Sequence, residues 1–367
     1  MTARTMQVRS WREHVIDRRV RVASSASWRP WPSLPGISRR HFVGCGVSSL
    51  ALAPMTGWPQ SAPQDRSVGQ GSGTPTPEQA VDRMAAATDA DQHLTVEVRI
   101  DGAGPFQFVV DTGADRTVIS EEVAASLSLQ RGPQVKLNGI VRSLTTDTVL
   151  IANFSLGSVV RNNLKLPVLP RSMLQADGYL GLDTLDGLRV TFDFRNHALE
   201  IDRARSRFAS SSSPSAYKVG SNDARVLAEG SSGHLRTVDC QAGGVPAAAF
   251  IDSGAEVSIG NTALLDAMLA RHSTRLDLAT VQVSGITGGQ IAGRLALIDK
   301  IQLQRLEFTN CPLVIVDLQV FDIWGLSTKP AVLIGMNYLR EFASVAIDYR
   351  LKEIRFDLAS LLVAGPA

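Results

Sequence analysis

With 367 residues, 44% hydrophobic and 20% charged, the chain is too apolar for disorder and too evenly mixed for a fibre or coiled coil. Its length allows about two or three self-supporting units. The formal charge of +2 hides an uneven distribution: residues 1–40 hold nine arginines against Glu13 and Asp17, leaving 28 basic and 33 acidic residues in the remainder, which excludes a polyanion as the natural partner.

In chain order, the first readable feature is Ser38-Arg39-Arg40-His41-Phe42-Val43, followed by an uncharged run of small and apolar residues from Gly44 to Ala53. This order resembles the twin-arginine export signal, and the run is too short for a spanning helix, which needs about 20 apolar residues. Residues 1–63 are therefore read as an N-terminal extension with an export signal, predicting a periplasmic or secreted protein that meets a membrane only through that signal, if it is uncleaved. Residues 54–77, rich in Pro, Gly, Ser and Gln, read as a tether. Thr76-Pro77-Glu78 reads as the cap of a short helix through about Ala87, so that residues 64–93 form a linker plus helix.

From residue 94 onward the chain reads as two copies of one unit. Phe106 to Ile119, with Asp111-Thr112-Gly113-Ala114, is matched by Ala247 to Ile259, with Asp252-Ser253-Gly254-Ala255. Leu137-Asn138-Gly139-Ile140 pairs with Val283-Ser284-Gly285-Ile286, and Tyr179-Leu180-Gly181-Leu182 with Leu333-Ile334-Gly335-Met336. Even the closing runs agree, Val190 to Arg195 against Val345 to Arg350. Between these landmarks lie short β-rich runs broken by Gly, Pro, Asn and Asp, with brief helical stretches at 120–127 and 263–270. The expected units are 94–202 and 233–360, joined by a Ser-rich linker at 203–232 whose far end, 224–228, has strand character.

An aspartate ending an apolar strand and entering a Thr/Ser-Gly turn is a carboxylate held at a fixed point with backbone packed close around it. The hydroxyl of Thr112 or Ser253 is suited to bonding the opposing backbone and locking two such turns together. Both copies resemble the lobe of retropepsin-like aspartic peptidases, with an Asp-Thr-Gly-Ala turn and a later hydrophobic-hydrophobic-Gly segment. The resemblance covers most of 94–201 and 235–358. It implies a mostly β, bilobal aspartic-protease fold of two homologous β-barrel lobes with short helices, paired within one chain as an intramolecular pseudo-dimer, as in pepsin-like proteins. It further implies Asp111 and Asp252 as the catalytic pair, supported by Thr112, Gly113, Ser253 and Gly254, no cofactor, and a peptide or protein substrate. Gly139, Ile140, Gly285 and Ile286 fall where the family carries its flap, the alternative being ordinary hairpin turns. One departure is that Leu182-Asp183 and Met336-Asn337 stand where retroviral enzymes commonly place an arginine, which removes an Arg-Asp support contact for Asp115.

The remaining chemistry is sparse. Cys240 and Cys311 form either a disulfide or two buried thiols. The six histidines show no metal-ligand spacing, and Ser253 lacks the glycine-framed elbow of a serine nucleophile. The leading expectation is an exported, monomeric aspartic endopeptidase. The rival is an envelope peptide- or partner-binding module that keeps the aspartate turns as braces.

Overall fold

The apolar alternation of each repeat copy becomes a curled sheet in the computed structural model, which describes residues 20–22, 82–88, 93–203, 223–229, 235–271 and 274–358. In the first lobe Leu94–Ile100 pairs antiparallel with Ala103–Val110, whose other edge takes Gly178–Leu180 in parallel. The sheet continues through Val118–Ser120, Val159–Leu169, Ser143–Leu156 and Arg131–Asn138, and closes where Arg99 and Ile100 pair with Ser155 and Phe154. The second lobe takes the same path through Arg236–Ala242, Val245–Ile251, Ala331–Ile334, Ile259–Gly260, Leu306–Ile315, Gln290–Leu303 and Thr274–Ser284. It closes at the corresponding place, Cys240 to Ala242 pairing with Leu303 to Ile301. Inward-facing residues fill each barrel; Phe108 meets Phe154 edge-on at 5.7 Å in one, and Phe308 meets Tyr338 at 5.2 Å in the other.

The helices are short, and two of them fall where the sequence places them. Glu121–Ser126 starts at Ser120, whose hydroxyl accepts from the Val123 amide, and Thr262–Leu269 starts at Asn261, whose side chain accepts from the Leu264 amide. Each buries its apolar face against its own barrel.

A six-stranded antiparallel sheet runs beneath both lobes in the order Asp82–Ala85, Ala198–Arg203, Leu188–Asp193, Ser344–Asp348, Glu353–Asp357, Asp223–Glu229. Its central pair joins the lobes, with Val190 opposite Ile347 and Phe192 opposite Val345. These side chains are fully or almost fully buried, so one apolar layer ties the two halves.

This sheet corrects the expectation of a helix through Ala87. Asp82–Ala85 is an edge strand paired with residues 198–201, and Ala87–Thr88 continues onto Leu94 and Thr95. Arg83 pairs with Asp193 at 2.9 Å and Glu200 at 2.6 Å, and Asp82 accepts from the Ser158 amide at 2.6 Å. A lone ten-residue helix is marginal, and strand pairing with a preformed edge wins. Asp223–Glu229 makes the matching pair of contacts in the other lobe, bonding both Glu353–Asp357 and Arg236–Ala242. The strand character read at 224–228 therefore holds, and the inter-lobe linker is shorter than 203–232.

The disulfide alternative is also corrected: Cys240 and Cys311 are two buried thiols. Cys240 lies opposite Leu303 and Cys311 opposite Ile298, on the two flanks of Gln290–Leu303 and five residues apart along it. That offset is roughly 16 Å, far beyond the about 7 Å Cα spacing a disulfide tolerates. Burial pushes the Cys240 thiol up to about 12. The proposed signal at 38–53, the tether and the Ser-rich segment lie outside the described residues. Ahead of them, the backbone of Val20–Val22 pairs with Leu306, Glu307 and Phe308.

Candidate active site

Two parallel pairings deliver the candidate carboxylates to one place. Gly178–Leu180 lies beside Ala103–Val110, and the Asp111 amide donates to the Leu180 carbonyl at 3.0 Å; in the second lobe the Asp252 amide donates to the Ile334 carbonyl, also at 3.0 Å. Each strand thus ends at the same point relative to the later hydrophobic-hydrophobic-Gly segment, and the two ends meet across the lobes.

The meeting is a closed set of four hydrogen bonds. The Thr112 hydroxyl donates to the Ile251 carbonyl at 3.1 Å and accepts from the Ser253 amide at 3.0 Å. Reciprocally, the Ser253 hydroxyl donates to the Val110 carbonyl at 2.7 Å and accepts from the Thr112 amide at 3.1 Å. Each hydroxyl uses its donor and one acceptor on the other lobe, the interlock that the sequence predicted for a Thr/Ser at this position. The glycines are required by proximity: a Cβ on Gly113 would lie 2.6 Å from the Asp252 carboxyl carbon, and one on Gly254 would lie closer still to that of Asp111.

Within its own turn each carboxylate is held by the glycine amide two residues on. Gly113 N–H donates to Asp111 Oδ1 at 2.8 Å, and Gly254 N–H to Asp252 Oδ1 at 2.9 Å. Asp111 and Asp252 are 9% and 6% exposed, so water offers them little solvation. Burial, followed by the Asp252 charge and their shared side-chain hydrogen bond, pushes Asp111 up to about 8, against the Gly113 amide and the charge of His93, which act downward. Two such groups do not ionise independently. Tyr349, buried near them, is pushed upward by burial and then by both carboxylates.

Gly181 and Gly335 are braced by four side chains that the sequence reading missed, Thr117, Asp183, Ser258 and Asn337. Gly181 N–H donates to the Thr117 hydroxyl at 3.0 Å, and that hydroxyl donates to Asp183 Oδ1 at 2.6 Å. Asp183 Oδ1 also accepts from the Thr117 amide at 2.8 Å. In the other lobe Gly335 N–H donates to Ser258 Oγ at 2.9 Å, which donates to Asn337 Oδ1 at 2.7 Å. Thr117 with Asp183 and Ser258 with Asn337 thus brace Gly181 and Gly335 in the same way in the two lobes. The repeat of Thr117-with-Asp183 as Ser258-with-Asn337 was the available signal.

The four flap candidates lie at the tips of two hairpins. Gly139 and Ile140 sit in the turn between Arg131–Asn138 and Ser143–Leu156; Gly285 and Ile286 sit in that between Thr274–Ser284 and Gln290–Leu303. The tips meet. Arg142 Nε donates to the Thr287 carbonyl at 3.0 Å, and the Thr287 hydroxyl donates to the Arg142 carbonyl at 2.7 Å. Each tip also crosses to the other lobe: Ile140 packs on a cluster with Phe250 and Leu318, and Ile286 on one with Val109 and Tyr179. The Gln319 amide further donates to the Ile140 carbonyl at 2.9 Å.

A comparison with curated proteins finds no match. A family model described as Aspartyl protease matches residues 96–184 and 238–338, together just over half of the chain and one stretch in each lobe. Each matched stretch contains an Asp-Thr/Ser-Gly turn and its Gly181 or Gly335 brace, and on that match the chain belongs to the aspartyl protease family.

Proposed function

We propose that this chain is a single-chain aspartic endopeptidase in which Asp111 and Asp252 form one catalytic dyad. The observation that carries this reading is the pair of buried carboxyls, sharing a hydrogen bond and each braced by its own glycine amide, inside two interlocked turns. Two carboxyls this close share one proton, which is the working state of aspartic proteases in general. The ionised carboxylate takes a proton from a water held between the two, the water oxygen attacks the peptide carbonyl carbon, and the protonated carboxyl gives its proton to the carbonyl oxygen. The neutral tetrahedral species then collapses. One of its hydroxyl protons returns to a carboxylate, the C–N bond breaks, and the leaving nitrogen takes the proton held by the other carboxyl. The dyad ends as it began, with one proton.

The substrate is a peptide bound in extended form between the barrels, with the two hairpin tips closing over it as flaps that hydrogen-bond its backbone and exclude bulk water. The enzyme acts as a monomer, since both halves of the site come from one chain, and it is exported through the signal read at 38–53. The test is digestion of an unbiased peptide mixture by the purified chain from about residue 64, scanned from about pH 3 to 8, with Asp111→Asn and Asp252→Asn alongside. Cleavage lost in both variants supports the dyad. A folded chain that cleaves nothing across that range overturns it in favour of a binding role.

A further inference from the structure

Asp111 and Asp252 account for the proton transfers, yet a third titratable group is buried close enough to act on Asp111. His93 is 6% exposed and immediately precedes the strand Leu94–Ile100. That strand runs antiparallel to Ala103–Val110, with Val96 opposite Phe108 and Thr95 opposite Val109. Continuing this register by two residues sets His93 opposite Asp111, where side chains of directly opposed residues lie on one face about 5 Å apart. The placement agrees with the electrostatics, in which the His93 charge acts on the Asp111 carboxyl.

The sequence repeats the arrangement. His93-Leu94 stands 18 residues ahead of Asp111, and His234-Leu235 stands 18 residues ahead of Asp252. The chain has only six histidines, and two of them hold the same place in the two copies. His234 lies outside the described residues. Tyr349 is a further titratable group beside the dyad, and both carboxylates and Asp186 act on it. Asp89 and Asp91 precede His93 in the sequence, outside the described residues.

We propose that His93 is a positioning residue of the dyad, a buried imidazole whose positive charge favours the singly ionised pair and so extends activity toward acidic pH. This rests on the reading of Asp111 and Asp252 as the catalytic pair. The dyad needs one negative charge to activate water, and the acid limb of the pH profile marks where that charge is lost. The imidazole acts on the pair in its cationic form, which burial disfavours and the dyad's own negative charge favours. A unit charge one strand away, in a site screened as proteins usually screen, displaces a carboxylate titration by about one pH unit. Toward alkaline pH the imidazole has released its proton, and its influence fades.

His93→Gln keeps a hydrogen-bonding side chain of similar size and removes the charge. The expected result is an acid limb of kcat/KM displaced upward by about one pH unit, an alkaline limb displaced by less, and a KM within about twofold of the parent. A second arm uses the parent fold. The His93 ring proton resonance is followed through a pH titration, assigned by its loss in His93→Gln, in the parent chain and in the Asp111→Asn/Asp252→Asn double variant. Coupling is reciprocal, so the midpoint of His93 falls by about one pH unit when both carboxylates are neutralised.

An acid limb that stays in place while activity drops uniformly with pH assigns His93 a structural role and overturns the proposal, as does a His93 midpoint identical in the parent and the double variant. If the chain cleaves no peptide, the peptidase reading fails separately. The titration arm then decides alone whether His93 and the two carboxylates are coupled.

Discussion

Replacing Thr112 by valine keeps the volume and β-branching of the side chain and removes only its hydroxyl. Two buried backbone groups on the opposite lobe then lose a partner, the Ser253 amide at 3.0 Å and the Ile251 carbonyl at 3.1 Å. A buried group left unsatisfied costs about 1–3 kcal/mol, the amide near the upper end because it has one donor and the carbonyl near the lower because it has a second lone pair. The expected destabilisation is about 3 kcal/mol, or a fall in Tm of roughly 5 to 10 °C for a protein of this size. Thermal and urea unfolding at a fixed pH measure it, with Ser253→Ala and the double variant completing a cycle. Because the two hydroxyls belong to one closed set of bonds, the double variant loses less than the sum of the singles, with a coupling of about 0.5–3 kcal/mol. A loss below about 0.5 kcal/mol for Thr112→Val, or strict additivity in the cycle, refutes the interlock as a source of stability.

Three further outcomes are expected. Asp111 binds its proton more tightly in the folded chain than unfolded, so the parent loses stability as pH rises from about 4, where the unfolded carboxyl ionises, to about 8; Asp111→Asn removes much of that slope and melts higher than the parent at pH 8, with little difference at pH 4, as paired melting curves would show. Gly254→Ala places a methyl group against the Asp111 carboxyl and lowers kcat by about a hundredfold or more while leaving circular dichroism spectra near those of the parent; near-parent kcat would refute the close approach. Thr287→Val removes the hydroxyl bond to the Arg142 carbonyl that joins the two hairpin tips and raises KM by roughly 2- to 10-fold with Tm almost unchanged; an unchanged KM counts against the tips acting as flaps.

The duplicated turn was legible because its information is local. Asp-Thr-Gly-Ala and Asp-Ser-Gly-Ala carry their own turn chemistry, and the later Leu180-Gly181 and Ile334-Gly335 segments are short, apolar and matched in order. The brace of Thr117 with Asp183 was less visible, since its partners lie 66 residues apart and only the second copy, Ser258 with Asn337, marks them as a pair. The edge strand Asp82–Ala85 was missed for a stronger reason. Its conformation is set by a partner at 198–201 and by the Asp193 and Glu200 carboxylates that receive Arg83, none of which a local pattern encodes. Read locally, Glu78 to Ala87 has helix-forming composition; pairing with a distant edge decides otherwise. The thiol pair shows the same limit, because the distance between Cys240 and Cys311 is a property of the sheet register.

Whether one chain supplies both halves of a single dyad is decided by cleavage assays of Asp111→Asn, of Asp252→Asn and of an equimolar mixture of the two. Both variants are expected to fold, neither to cleave, and mixing to restore nothing, because each chain pairs its own lobes through the shared sheet and the Thr112–Ser253 interlock. Parent-like cleavage by either variant would contradict the shared dyad, and recovery of cleavage on mixing would contradict its assembly within one chain.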